Sequence, residues 1–279
     1  MIPTNANGAL RAAIRTLRDA AITDPARDAR LLLAHAMDIT PDRLTLCLTD
    51  ALPTSAAAHF AAMITARLTH QPIAQIIGRR LFWGRTFRVT KDVLDPRPET
   101  ETLIAEALKS PAKTILDLGT GTGIILLTLL AEWPDAQGTG TDISAAALAV
   151  AHDNAQALGL VPRATFTLSN WFTALTNRYD LITSNPPYIA ADEMSHLSPD
   201  VLNHEPHIAL TPGGDGLDAY RAIAAGALLH LNPNGRLIVE IGPSQGAAVC
   251  AFFRAVGLLT PTIWPDLDGR DRIVVAHRA

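Results

Sequence analysis

Three glycines packed into seven residues constrain this chain more than any other feature. Asp117-Leu118-Gly119-Thr120-Gly121-Thr122-Gly123 closes the apolar run that starts at Thr114 and leads straight into another that starts at Ile124. Residues without a Cβ let the main chain turn sharply and let a ligand come close to it. A strand, a tight turn and a helix are therefore expected, the first amides of the helix being free for an anionic group such as a carboxylate. The spacing narrows the ligand. A dinucleotide fingerprint, G-x-G-x-x-G/A, needs a small residue at 124, where Ile124 stands. G-x-G-x-G fits a cofactor without a pyrophosphate. Gly119, Thr120, Gly121, Thr122 and Gly123 are the expected cofactor loop.

The surrounding pattern divides the chain into a helical domain over 1–72, a β-hairpin linker over 73–95 and a larger domain over 96–279. In the first, Leu10, Ala13, Ile14 and Leu17 form one apolar stripe, and Ala29, Leu32, Leu33, Ala36 and Met37 form the next. Asp24-Pro25 opens the second helix, Thr40-Pro41 a short third one, and Pro53 a fourth that carries Phe60, Met63, Ile64 and Leu68. Arg80–Val89, broken at Gly84-Arg85, reads as the hairpin. Beyond it strands alternate with helices. The expected strands are 114–118, 137–141, 164–168, 180–184 and 236–241, with helices from a Ser144 cap and over 217–229. That alternation predicts a mostly parallel sheet covered on both faces. The last two strands, 258–264 and 272–277, have no helix between them. Such a closing antiparallel hairpin points to the Rossmann-like class I S-adenosylmethionine-dependent methyltransferase variant of the α/β fold.

Two further positions carry chemistry. Asp142 ends the second strand of the alternating region, where a carboxylate can accept from both hydroxyls of a ribose; its other reading is a helix start beside Ser144. Asn185-Pro186-Pro187-Tyr188 ends the fourth strand. Ligands of open parallel sheets sit outside the carboxyl ends of the strands, so this motif and the glycine loop share one crevice. An amide or aryl amine nitrogen is planar with a delocalised lone pair, and attacks a methyl donor poorly. Two acceptors on its N–H groups favour a more pyramidal, electron-rich nitrogen. The Asn185 side-chain oxygen and the Pro186 carbonyl are those acceptors. Pro186 and Pro187 hold the carbonyl rigidly, and Tyr188 offers a flat face. Read alone, Asn-Pro-Pro is also a common turn.

Composition sets bounds on partners. The formal charge is −4, whereas gripping a nucleic-acid backbone rewards a basic excess. Cys47 and Cys250 have no metal-binding spacing. Met1–Gly8 lacks the basic, then apolar, pattern of a signal peptide, and the apolar runs are short for a membrane span. A cytoplasmic monomer without metal, and without nucleic acid as main substrate, is expected. His204, Glu205 and His207 do not match H-E-x-x-H, and a surface loop is expected there. Arg97-Pro98-Glu99 either lines the methionine end of the cofactor or opens a helix. Trp83 is expected to anchor the hairpin.

Over nearly its whole length the sequence resembles the HemK/PrmC family, the peptide chain release factor glutamine methyltransferases. Asp117–Gly123 and Asn185–Tyr188 match its two central motifs. Phe82-Trp83-Gly84, Asp95–Glu101, Ser169–Phe172, Glu205-Pro206, Gly213–Leu217, Glu240–Gly242 and Asp268–Arg272 resemble its flanking signatures. The resemblance implies S-adenosylmethionine as cofactor. It implies as substrate the glutamine of the Gly-Gly-Gln motif in class 1 release factors, methylated on its amide nitrogen. By position, Gly119–Gly123, Asp142, Trp171 and Asn185 would bind cofactor, and Asn185, Pro186, Pro187 and Tyr188 the substrate. Asn185, Pro186 and Tyr188 would serve the reaction itself. Asn170 departs from a common Asp, and Asp95 from a common aliphatic residue. Two alternatives stand beside this reading: a methyltransferase for the exocyclic amine of adenine in DNA, and a non-catalytic module that binds cofactor only.

Overall fold

The computed structural model describes residues 5–279; residues 1–4, where the segment without an expected leader begins, lie outside them. The described residues form two compact units, residues 5–78 with Ser198–His204, and Arg79–Leu197 with Glu205–Ala279.

The first unit contains α1 (Ala6–Asp19), α2 (Pro25–Ala36), α3 (Thr54–Leu68) and α4 (Ile73–Ile77). The Asn5 side chain caps α1 through the Gly8 amide, and Asp24 caps α2 through Arg27 ahead of Pro25 at the first helical position. Leu10, Ala13 and Leu17 of α1 meet Leu32 and Leu33 of α2 and Phe60 and Met63 of α3 in one core, with Ile14 half-buried at its rim. The helix expected after Thr40-Pro41 is only a 3₁₀ turn, Arg43–Cys47. Five residues carrying one large inward side chain, Leu44, cannot bury enough to sustain a full helix.

Ser198–His204, which contains α8 (Pro199–His204), folds with this unit although it comes from far along the chain. Its anchor is ionic. Arg67 Nε donates to Asp28 at 2.7 Å and Arg67 Nη2 to Asp200 at 2.8 Å. His70 Nδ1 lies 3.0 Å from the same Asp200, and Gln75 donates to the His204 carbonyl at 2.9 Å.

In the second unit β1 (Arg79–Phe82) and β2 (Arg85–Arg88) pair antiparallel. The turn falls on Trp83-Gly84, one residue earlier than expected, because both have positive φ (46° and 71°) as a tight hairpin turn demands. Trp83 packs on the core beneath the main sheet. That sheet has the order β5-β4-β3-β6-β7-β9-β8. Its parallel strands are β3 (Thr114–Leu118), β4 (Gln137–Asp142), β5 (Ala164–Leu168), β6 (Tyr179–Ser184) and β7 (Leu231–Glu240). The antiparallel pair β8 (Leu259–Pro265) and β9 (Asp271–His277) completes it, with β9 against β7. This is the Rossmann-like methyltransferase sheet that the closing hairpin predicts.

α5 (Glu101–Leu108), α6 (Ile124–Glu132), α7 (Ala145–Ala157), α9 (His207–Leu210), α10 (Asp218–His230) and α11 (Gly246–Ala255) make up the remaining helices of this unit. α6 is apolar nearly all round because it is buried between sheet and neighbouring helices. β4 is glycine-rich for want of room: a Cβ on Gly138 would stand 2.3 Å from Leu126 of α6. Among the described residues no helix is long and apolar enough to cross a membrane.

Arg67 and Asp28 are both nearly inaccessible, and removing one partner of a buried ion pair strands the other. We expect Arg67→Ala to cost about 3 kcal/mol of unfolding free energy in the helical unit, read as a lower urea midpoint for that unit's transition.

Candidate active site

The strand order reverses about β3, and the chain leaves β3, β4 and β6 on the same edge of the sheet. A cavity of about 410 Å³ opens there. Its wall contains residues from each of those strand ends, Gly119–Thr122, Asp142 and Asn185, together with Ser169–Trp171 and Pro187.

One buried carboxylate organises the glycine turn. Asp117 Oδ2 accepts from the Thr120 hydroxyl at 2.6 Å and Oδ1 from the Thr183 hydroxyl at 2.9 Å. Burial nonetheless pushes its carboxyl up to about 6. Thr120 N donates to the Thr141 carbonyl at 2.8 Å, which joins the turn to β4. Gly119 and Gly121 have φ of 66° and 53°, a left-handed backbone, and both face open space where a Cβ would stand. Gly123 plays a different part. It does not line the cavity; with φ 77° it begins α6, and a Cβ on it would press on Leu127 at 3.0 Å and Ala151 at 3.3 Å.

Asp142 unites its two readings. Its Oδ2 accepts from Gly121 N at 3.0 Å, and its Oδ1 from Ser144 N at 2.9 Å. Each oxygen keeps a lone pair for a ligand hydroxyl. Burial raises its pKa, and the backbone donors from Ser144 and Gly121 oppose that rise. Ser144 itself caps α7 through Ala147 N. Trp171, at φ 51°, is set in its strained turn by Ser169, whose hydroxyl donates to the Trp171 carbonyl at 2.8 Å. This donor set suits S-adenosylmethionine: a carboxylate for vicinal hydroxyls, amides of a tight turn, and an indole for a flat base.

Asn185 and Pro187 line the same cavity, whereas Pro186, which is buried, and Tyr188, which is half-buried against the core, do not. The motif is clamped from outside itself. Gln245 Nε2 donates to the Tyr188 carbonyl at 2.8 Å, and Gln245 Oε1 accepts from Gly242 N at 3.0 Å. Ile189 N and Ala191 N donate to the carbonyls of Leu210 and Gly214, both at 3.0 Å. A Cβ on Gly216 would lie 2.5 Å from the Tyr188 carbonyl, so the glycines of Gly213–Leu217 let the two loops meet. Burial pushes the Tyr188 phenol up to about 12, the nearby Glu240 adding to the rise.

Arg97 and Glu99 do not line the cavity; their neighbours Pro96 and Thr100 do. Arg97 Nη2 instead donates to Glu205 at 2.6 Å. The segment around His204 is not the surface loop that the sequence suggests. His204 ends α8 and contacts the Thr69 carbonyl within the first unit, whereas Glu205 is buried in the second and pairs with Arg97. Burial pushes Glu205 up to about 7 despite that pairing. The guanidinium was the missing signal: nothing in the local sequence ties position 97 to position 205.

Comparison with known proteins bears on the whole chain. Residues 8–78 match the family described as PrmC N-terminal domain, and residues 91–217 the methyltransferase small domain. The chain is 62% identical to the release factor glutamine methyltransferase of Cereibacter sphaeroides over 96% of this chain and 97% of that protein. It is 43% identical to the one of Caulobacter vibrioides, over 93% and 91%. A solved methyltransferase structure from Pyrococcus furiosus superposes with a TM-score of 0.54 at 13% identity, covering 78% of this chain and 98% of that one, which marks a common fold.

Asp142→Ala removes the cavity-wall carboxylate that accepts from the glycine turn at Gly121 N. It is expected to weaken S-adenosylmethionine binding by about 10-fold or more, measured by titration calorimetry, with little change in thermal unfolding.

Proposed function

This chain belongs to the release factor glutamine methyltransferases, and we propose that it methylates the side-chain amide nitrogen of the glutamine in the Gly-Gly-Gln motif of class 1 peptide chain release factors. The observation that carries this reading is its near full-length identity with enzymes of that name, with both central motifs intact. A translation factor as substrate puts the reaction in the cytoplasm. The net charge of −4 favours a protein substrate over nucleic acid, and a monomer is part of the same reading.

S-adenosylmethionine, when bound, supplies a methyl group on a cationic sulfur, open to displacement by a nucleophile. The protein's share is to bind and orient. Asp142 takes the ribose hydroxyls, Trp171 packs on the adenine, and the turn from Gly119 to Thr122 receives the rest of the cofactor. Gly123 contributes by starting α6. Asn185 Oδ1 accepts one N–H of the glutamine amide and the Pro186 carbonyl the other, which shifts electron density onto the nitrogen and fixes its plane. Pro187 stiffens the carbonyl's position, and Tyr188, which lies off the cavity wall and not on the substrate's flat amide as the sequence suggests, anchors the end of the motif through its packing and its carbonyl on Gln245. No general base is needed before transfer, since the nitrogen sheds its proton only once it carries positive charge. Placement supplies most of the rate.

The test offers a purified class 1 release factor and duplex DNA side by side with tritiated S-adenosylmethionine. Label on the glutamine of the Gly-Gly-Gln peptide, located by mass spectrometry, is expected; label on DNA with none on protein overturns the assignment. With the release factor as substrate, Asn185→Ala should lower kcat by about 100-fold and change the cofactor Kd by a smaller factor.

A further inference from the structure

An acceptor that must face the substrate has to be kept from turning over. The Asn185 amide presents an oxygen on one side and an NH2 on the other, and the two are close to isosteric. A 180° turn about its last bond would offer a donor where the reaction needs an acceptor. The polar atoms behind Asn185 bear on this choice.

Asn185 Nδ2 lies 3.3 Å from Thr100 Oγ1, and Thr100 Oγ1 lies 2.7 Å from Glu240 Oε2. Thr100 is 2% and Glu240 0% exposed. Glu240 ends β7, the neighbour of β6 from which Asn185 emerges, and Thr100 closes the 3₁₀ turn Pro98–Thr100 before α5. A hydroxyl has one proton to give. An ionised carboxylate accepts only, so the Thr100 proton goes to Glu240, and Thr100 can then only accept from Asn185. The Asn185 NH2 is thereby directed inward, and Oδ1 is left toward the cavity. A fully buried carboxylate is costly, and Glu240 Oε1 has no hydrogen-bond partner, so this group is not there for stability alone.

We propose that Thr100 and Glu240 are positioning residues, a directional carboxylate–hydroxyl relay that holds the Asn185 amide with its oxygen toward the substrate nitrogen. The proposal rests on the methyl-transfer reading of this site and deepens it. Protonated Glu240 reverses the relay: the carboxylic acid can donate to Thr100, whose own proton then turns toward Asn185 and favours the flipped amide. Burial pushes the Glu240 carboxyl up to about 7, the Thr100 hydroxyl, Arg272 and Arg97 opposing and Glu99 adding. Tyr188 and Tyr220 also feel its charge, and both phenols are raised far from neutrality. As pH falls through about 7 the group takes up a proton, so activity is expected to fall on the acid side of that midpoint.

Two readouts test the relay, one of them independent of turnover. In the first, the side-chain NH2 resonances of 15N-asparagine-labelled protein are followed from pH 5.5 to 8.5, with Asn185 assigned by its loss in Asn185→Ala. The wild-type Asn185 signal should titrate near the Glu240 midpoint and stop titrating in Glu240→Gln and Thr100→Val, with other signals unmoved. In the second, kcat on the release factor should drop about 10- to 100-fold in Thr100→Val at unchanged cofactor Kd. Thr100→Ser, which keeps the hydroxyl, should recover most of it, and Glu240→Gln should lose the acid limb of the pH profile. An Asn185 resonance that does not titrate, or that titrates equally in Glu240→Gln, overturns the relay. Failure of the wild type to methylate the release factor, with the resonance still titrating, overturns the substrate assignment and not the relay.

Discussion

The side chain of Asp117 holds the two halves of the site together. It is fully buried at the end of β3, and its two oxygens accept from hydroxyls on different elements, Thr120 in the glycine turn and Thr183 two residues before Asn185. The glycine turn and the strand end that carries Asn185 thus take their positions from a single carboxylate. Low dielectric makes such hydrogen bonds strong and their loss expensive. The cost of burying the charge shows in the raised pKa of about 6. The return is a fixed offset between the strand ends of β3 and β6, and proximity catalysis depends on such an offset.

A second level of support lies behind the motif residues. Asn185-Pro186-Pro187-Tyr188 is rigid in part because of its prolines, yet the contacts that hold it come from elsewhere. Gln245 grips the Tyr188 carbonyl, and the Tyr220 hydroxyl shares its proton between the Glu240 carbonyl at 3.0 Å and Gln245 Oε1 at 3.2 Å. The loop that follows β7 and the helix α10 therefore brace a loop that follows β6. A site of this kind depends on its supporting shell as much as on the groups that touch the ligand.

The elements that local pattern alone encodes were the legible ones. Thr114–Leu118 and Ala164–Leu168 are strands with the expected bounds, and the Ser144 cap and the closing hairpin stand where the sequence indicates. β7 begins five residues before its expected start, at Leu231, because Tyr179 pairs with Leu231 ahead of a register shift. Gly119, Gly121, Asp142, Trp171 and Asn185 come together on one cavity as their spacing suggests. What the pattern hides is pairing between distant positions. Nothing near Thr100 announces Glu240, nothing near Arg97 announces Glu205, and nothing near Arg67 announces Asp200; each pair exists only once the chain has folded. The backbone of a site is encoded by neighbours in sequence, its electrostatics by neighbours in space.

The passage of Ser198–His204 out of the catalytic unit and into the helical one has a consequence for how such a chain can be recombined. The units are not beads on a string: the polypeptide passes between them at residue 78, again at 197 and once more at 204. No single splice can exchange the leading helices for those of another chain. A graft that replaces the first 78 residues keeps α8 from the host, and must bring a basic residue that satisfies Asp200 as Arg67 and His70 do. Positions 67 and 200 are thus bound to change together in any viable chimera, although their numbers place them in what a linear reading would treat as separate modules.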